Sequence, residues 1–332
     1  MFNRYIFLFL FIFKIILPAS YPNDATDRLV NIFTTIQTLN AGDYVSSTGA
    51  TQGLCWFKAG IKIAGASGLV NVATPIFVDR EIYLDGQVSL NLQKDLILSG
   101  SVRICADSTS GYISFGTGVF VGSKLILTGP VDLETTVRCT FGAFEIQGNG
   151  NSINMRQNTF YPSNATSFKL NNCLLYNIPE LGLSNVAYPI FTDLDNVVLK
   201  LSNDLDAHSR SLTINGDVSI LGPYIFTMYY SCSINDASFL HFEPESTLFL
   251  NPTFKNLTFK GNKTGGFHFN GCTIDISNAD LTINEGNVIF ENEVRIYDGS
   301  NNKKFVIGPN CTAHILGGAR VILDGTTTFS IL

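Results

Sequence analysis

Apolar and polar residues alternate in short runs along most of this chain, and one nine-residue pattern occurs five times. It reads Ile82-Tyr-Leu-Asp-Gly-Gln-Val-Ser-Leu90, Leu96-Ile-Leu-Ser-Gly-Ser-Val-Arg-Ile104, Leu125-Ile-Leu-Thr-Gly-Pro-Val-Asp-Leu133, Leu212-Thr-Ile-Asn-Gly-Asp-Val-Ser-Ile220 and Val321-Ile-Leu-Asp-Gly-Thr-Thr-Thr-Phe329. Positions one, three and nine are apolar, position seven is Val or Thr, position four is Asp, Ser, Thr or Asn, and position five is always Gly. A period of two marks a strand with one buried face. The central polar-Gly pair places a bend between two such strands, because glycine accepts positive φ and the polar side chain can bond nearby backbone.

From about Leu54 onward short apolar runs alternate with Gly, Asn, Asp, Ser and Thr, as in Gly118-Val-Phe-Val-Gly122 and Cys272-Thr-Ile-Asp-Ile276. Residues 24–39 differ. Leu29, Ile32, Phe33 and Ile36 fall at i, i+3, i+4 and i+7, with Asp24 or Thr26 as N-cap and Gly42 beyond the end, so the spacing predicts a helix. A helix there is placed to cap the first coil of a repeat body. Residues 1–20 read as a secretory signal peptide, with Arg4, the apolar run Ile6–Phe13 and Leu17-Pro-Ala-Ser20. The expected division is a signal at 1–20, an N-terminal cap at 21–53 and a β-repeat domain at 54–332. Residues 156–189, with Pro162, Pro179 and Pro189, are its least regular part.

Two architectures fit this pattern. Asp-Gly and Asn-Gly between apolar runs are strong hairpin signals, which gives an antiparallel β-sandwich built of hairpins as the alternative. Many very short strands and recurrence of one phrase favour stacked coils, and an all-β, right-handed parallel β-helix (solenoid) with an N-terminal capping helix is the expectation. On the fivefold phrase and Gly148-Asn-Gly-Asn151, residues 54–332 resemble right-handed parallel β-helix repeat proteins of the pectin-lyase-like kind, in particular bacterial secreted or surface passenger-like proteins. That resemblance implies a secreted or surface-exposed, non-catalytic protein with a structural or adhesion-type role. The alternative it leaves open is a carbohydrate-active β-helix enzyme, a polysaccharide lyase or glycoside hydrolase.

Composition narrows the partners. Charged residues are 14% of the chain, the net charge is −6, and no basic block occurs. Nucleic acid and anionic membrane are therefore poor partners. No later apolar run is long enough for a transmembrane span, so the expected location is extracellular or at the cell surface. Host or neighbouring-cell glycans or proteins are the expected partners.

Candidate chemistry is sparse. Asp193, Asp195, Asp204, Asp206, His208 and Arg210 form the densest polar group, able in principle to offer oxygen ligands to calcium or hydrogen bonds to a sugar. Residues at i and i+2 share a strand face, so the same pairs also read as solvated stripes. Tyr224, Phe226, Tyr229 and Tyr230 form an aromatic group that could stack on sugar rings or fill the interior. The seven cysteines include no Cys-x-x-Cys pair, which argues against structural zinc, and most read as small inward hydrophobes. His208, His241, His268 and His314 are scattered, and His268 and His314 sit between apolar neighbours as outward strand positions. No nucleophile motif or phosphate loop occurs, so no catalytic residue, metal or cofactor is nominated. The last residues, Thr326-Thr-Thr-Phe-Ser-Ile-Leu332, alternate without Pro or charge. They read as an open edge, belonging to a fragment or short form, or available for self-association.

Overall fold

The computed structural model describes residues 29–45, 54–107, 112–115, 124–134, 138–141, 144–156, 160–162, 167–178, 180–181, 191–207, 211–230, 232–251, 258–259 and 264–332. Among them the structure is all-β, and strands pair in parallel with the strand one turn earlier and one turn later. Parallel neighbours need a long return of chain between them, which here is the rest of the turn. The antiparallel sandwich is thereby excluded, and the molecule is a parallel β-solenoid.

Register turns the alternating pattern into columns. Ile76, Leu96, Leu125, Ile146, Leu170, Leu194, Ile214 and Ile234 stand successively beside one another, each 6% exposed or less. A second inner column runs Val131, Ile153, Leu175, Leu199, Ile220, Phe242, Phe269 and Phe290. A one-residue slip would turn every one of these side chains out to solvent, so the buried face fixes the register.

The repeated phrase is a corner rather than a hairpin. The strand Ile76–Leu92 passes straight through Asp85-Gly86, and both of its halves pair with the strand Ile61–Val72. Gly86 has φ +101, and a Cβ there would sit 2.1 Å from the carbonyl oxygen of Gly65 in the bend beneath. Gly129, the same position of the third copy, would place a Cβ 2.3 Å from the backbone of Gly100, the glycine of the second copy. Bend stacks on bend, and only a residue without Cβ lets the two backbones approach.

The predicted helix is not formed over the part described. Leu29–Phe33 and Gln37–Asn40 are strands, paired with Leu54–Phe57 and Ile61–Val72, so residues 29–45 belong to the stack. Helical spacing misled because it does not mark a buried face: Ile32 is 48% and Ile36 60% exposed. The segment is also rich in β-branched residues (Val30, Ile32, Thr34, Thr35, Ile36, Thr38), which favour strands. Phe33 is seated on Phe57, with ring centroids 4.9 Å apart. Residues 24–28 and the expected signal at 1–20 lie outside the described residues. So does part of 156–189, of which Phe160–Pro162, Ser167–Tyr176 and Glu180–Leu181 continue the stack as strands. Among the described residues no helix is long and apolar enough to cross a membrane.

One buried carboxylate ties two turns together. Asp298, 0% exposed, accepts hydrogen bonds from the amides of Ser300 (2.8 Å), Lys303 (3.3 Å) and Thr326 (3.1 Å) and from the Thr326 hydroxyl (2.9 Å). Burial works against its charge, but the amides of Ser300, Thr326 and Lys303 and the Thr326 hydroxyl outweigh it and hold the pKa below the ordinary carboxylate value. A lowered native pKa gives stability that is present above the unfolded value and lost as pH falls through the native one. Asp298→Asn, which replaces an accepting oxygen with a donor, should therefore unfold more easily than the parent at neutral pH. The gap should close below about pH 4. Thermal melts of both proteins across pH would check this; a gap that persists unchanged in acid contradicts the assignment.

Thr328–Ile331 pairs with Lys304–Ile315 on one side and, among the described residues, with no strand on the other. Ile315, Leu323 and Ile331 are 56%, 46% and 53% exposed.

Candidate functional site

Outward positions stack as strictly as inward ones, and the chemistry of the outer faces follows from that. Most acids and bases meet across turns. Arg103 bridges Glu81 and Glu134, Arg295 reaches Asp324, Arg320 reaches Glu293, Arg156 pairs with Asp132, and Lys124 with Glu145. Asn91 donates to Asn71 and Asn177 to Asn154, each at 2.7 Å.

One array differs from these ion pairs. The strands Phe239–Phe242 and Gly266–Asn270 place His241 directly beside His268, because Phe242 and Phe269 fill one inner column and force the residue before each of them outward. The two Nδ1 atoms stand 3.0 Å apart, with the rings at 73°. His268 Nε2 lies 3.0 Å from Glu291 Oε2, and His241 Nε2 lies 3.4 Å from Asp217 Oδ1. The side chains of His241 and His268 are only 21% and 17% exposed. Alongside, Asn270 donates to Glu243 at 2.9 Å and accepts from Asn292 at 2.7 Å. The order is carboxylate, imidazole, imidazole, carboxylate.

Proton counting shows what this order demands. A carboxylate only accepts, so each outer contact uses an Nε2–H. Two neutral imidazoles then have no proton left, and two Nδ1 lone pairs face each other. A third proton relieves this by making one ring imidazolium. For His268 that is opposed, since burial first and then the neighbouring His241 lower its pKa, against the raising effect of Glu291 and Glu243. The two Nδ1 atoms thus face each other while both outer nitrogens are turned to carboxylates.

The sequence-derived candidates are placed otherwise. Asp193 and Asp195 lie on the strand Phe191–Lys200 of the large sheet, and Asp206 lies on Leu205–Ala207 of the smaller one. Asp195 is 3.9 Å from Lys169, and Asp204 accepts the Ile225 amide at 3.0 Å. His208 and Arg210 fall outside the described residues. Phe226 is an interior side chain against Phe242, Tyr224 packs on the core, and Tyr229 and Tyr230 are half-buried. Cys105, Cys173 and Cys272 are buried free thiols, each with its pKa raised by desolvation to about 12. Thiols so poorly ionised are unreactive. The histidine pair had a signal in the sequence: His-Phe occurs at 241–242 and again one turn later at 268–269.

The class this fold defines is the parallel β-solenoid, with its polar residues arranged in ladders across the turns. Compared with family models, curated proteins and solved structures, the chain shows no significant match.

Proposed function

We propose that this chain is an exported, non-catalytic β-solenoid, released from the cell or held at its surface. Its long outer faces would serve a structural or adhesion-type role toward a host or neighbouring-cell glycan or protein. The observation that supports this is the use of outer charges among the described residues: Glu81 and Glu134 are bridged by Arg103, and Glu293 and Asp324 by Arg295. Asp85 is held by Lys62, and Asp107 accepts from the Gly86 amide at 2.7 Å. Glycoside hydrolysis needs two carboxyl groups about 5–9.5 Å apart with a sugar between them, and carboxylates already engaged by the protein's own bases and amides are less suited to it. The exposed apolar residues of the last turn support a second role, self-association with another copy through that edge.

One set of measurements tests the reading. The mature chain is incubated with a panel of polysaccharides, with and without calcium, and immobilised to score retention of glycans and cells. Expected is retention without any shortening of polymer. New reducing ends from any polysaccharide would move the protein to the carbohydrate-active enzymes. Intact Met1–Ser20 on cytoplasmic protein would remove export, and a monomer at every concentration, unchanged by Phe329→Lys, would remove self-association.

A further inference from the structure

The gap between His241 and His268 has the dimensions of one edge of a metal coordination polyhedron. Two nitrogens bound at about 2.0–2.1 Å to one ion, at right or tetrahedral angles, stand about 2.8–3.4 Å apart. The two Nδ1 atoms are 3.0 Å apart. Each ring turns its other nitrogen to a carboxylate, Asp217 for His241 and Glu291 for His268. That is the outer arrangement that fixes tautomer and raises basicity in metal-bound histidines.

We propose that His241 and His268 form a two-histidine site for a borderline divalent transition ion, of the copper, nickel or zinc class, bound through both Nδ1 atoms. Imidazole nitrogen selects this class over calcium or magnesium. Among the described residues no three or more His, Cys, Asp or Glu side chains converge on one point. The remaining positions of the ion are thus open to water or to a donor from a bound partner. Asp217 and Glu291 act as positioning residues. Binding replaces any proton shared between the Nδ1 atoms, which leaves to solvent, so affinity falls as pH drops. The other ionisable groups facing the pair are Glu243, beside His268 through Asn270, and His314, two turns along the same outward column from His268.

The experiment uses the tag-free mature chain, whose four histidines keep background binding low. Copper(II), nickel(II) and zinc(II) chlorides are titrated calorimetrically, and the copper complex is examined by electron paramagnetic resonance for coupling to imidazole nitrogen. Expected is one equivalent bound, with two coupled nitrogens. Binding should weaken at least about tenfold in His241→Gln and in His268→Gln, and also in Glu291→Gln through its outer contact. His314→Gln should bind as the parent does, and affinity should fall with falling pH. Melting temperatures of the variants show whether each is folded; where either histidine variant fails to fold, the parent's nitrogen coupling and its loss after modification of His241 and His268 decide. No binding by the folded parent, or binding that survives loss of both histidines, overturns the proposal. So does tight binding of calcium at the same position.

Discussion

Phe269→Ala should lower the stability of the turns around it by about 3–5 kcal/mol, the cost of emptying a well-packed aromatic site. Phe269 is 0% exposed. Its ring lies 5.8 Å from Phe242, 5.7 Å from Phe267 and 5.8 Å from Phe290, all near-parallel, with Phe305 edge-on at 6.3 Å. Four aromatic neighbours on four successive turns cannot collapse together into the gap, because their backbones are held by parallel ladders above and below. Chemical denaturation measures the total, and hydrogen exchange locates it: protection should fall between about residues 239 and 307 and stay unchanged near Leu84. Phe269→Leu, which keeps most of the volume, should cost much less. A loss under about 1 kcal/mol for the alanine variant would mean that the aromatic column contributes little.

Gly86→Ala should be nearly as damaging, at about 3 kcal/mol or more, from backbone strain at positive φ and overlap with the turn beneath. A methyl group has no rotamer with which to avoid the Gly65 oxygen, so the two bends must separate. The control is Gly100→Ala, the same position of the second copy. It has φ +76 but nothing within 4 Å of an added Cβ, so it should show the conformational cost alone, about 1–2 kcal/mol. Equal losses at the two sites, read by denaturation, would show that the close approach at Gly86 carries no weight.

These two predictions also mark what could be read from residues alone. Inward positions such as Leu84, Leu98 and Ile214 were legible, since period two allows one buried face and the phrase supplied it five times. The glycine of the phrase was legible as a bend, but whether it reverses the chain or turns a corner depends on which strand it meets, a non-local fact. The segment 29–40 failed for a related reason. Its apolar spacing matches a helix taken alone, and the neighbouring turn supplies the hydrogen bonds that make it a strand. The candidate site was the least legible. Asp193 to Asp206 were grouped by nearness in sequence, whereas in a solenoid nearness is measured one turn away. That rule brings His241 to His268 and places Asp193 and Asp206 on strands of different sheets.

The parallel pairing has a mechanical consequence. Hydrogen bonds between turns run along the long axis, so tension applied along that axis loads the ladders end-on and opens them successively rather than shearing many at once. A turn of roughly 20–25 residues would release about 70–90 Å of chain as it peels away. Under load such a protein yields in equal steps, each lengthening the tether while the remaining turns keep their shape.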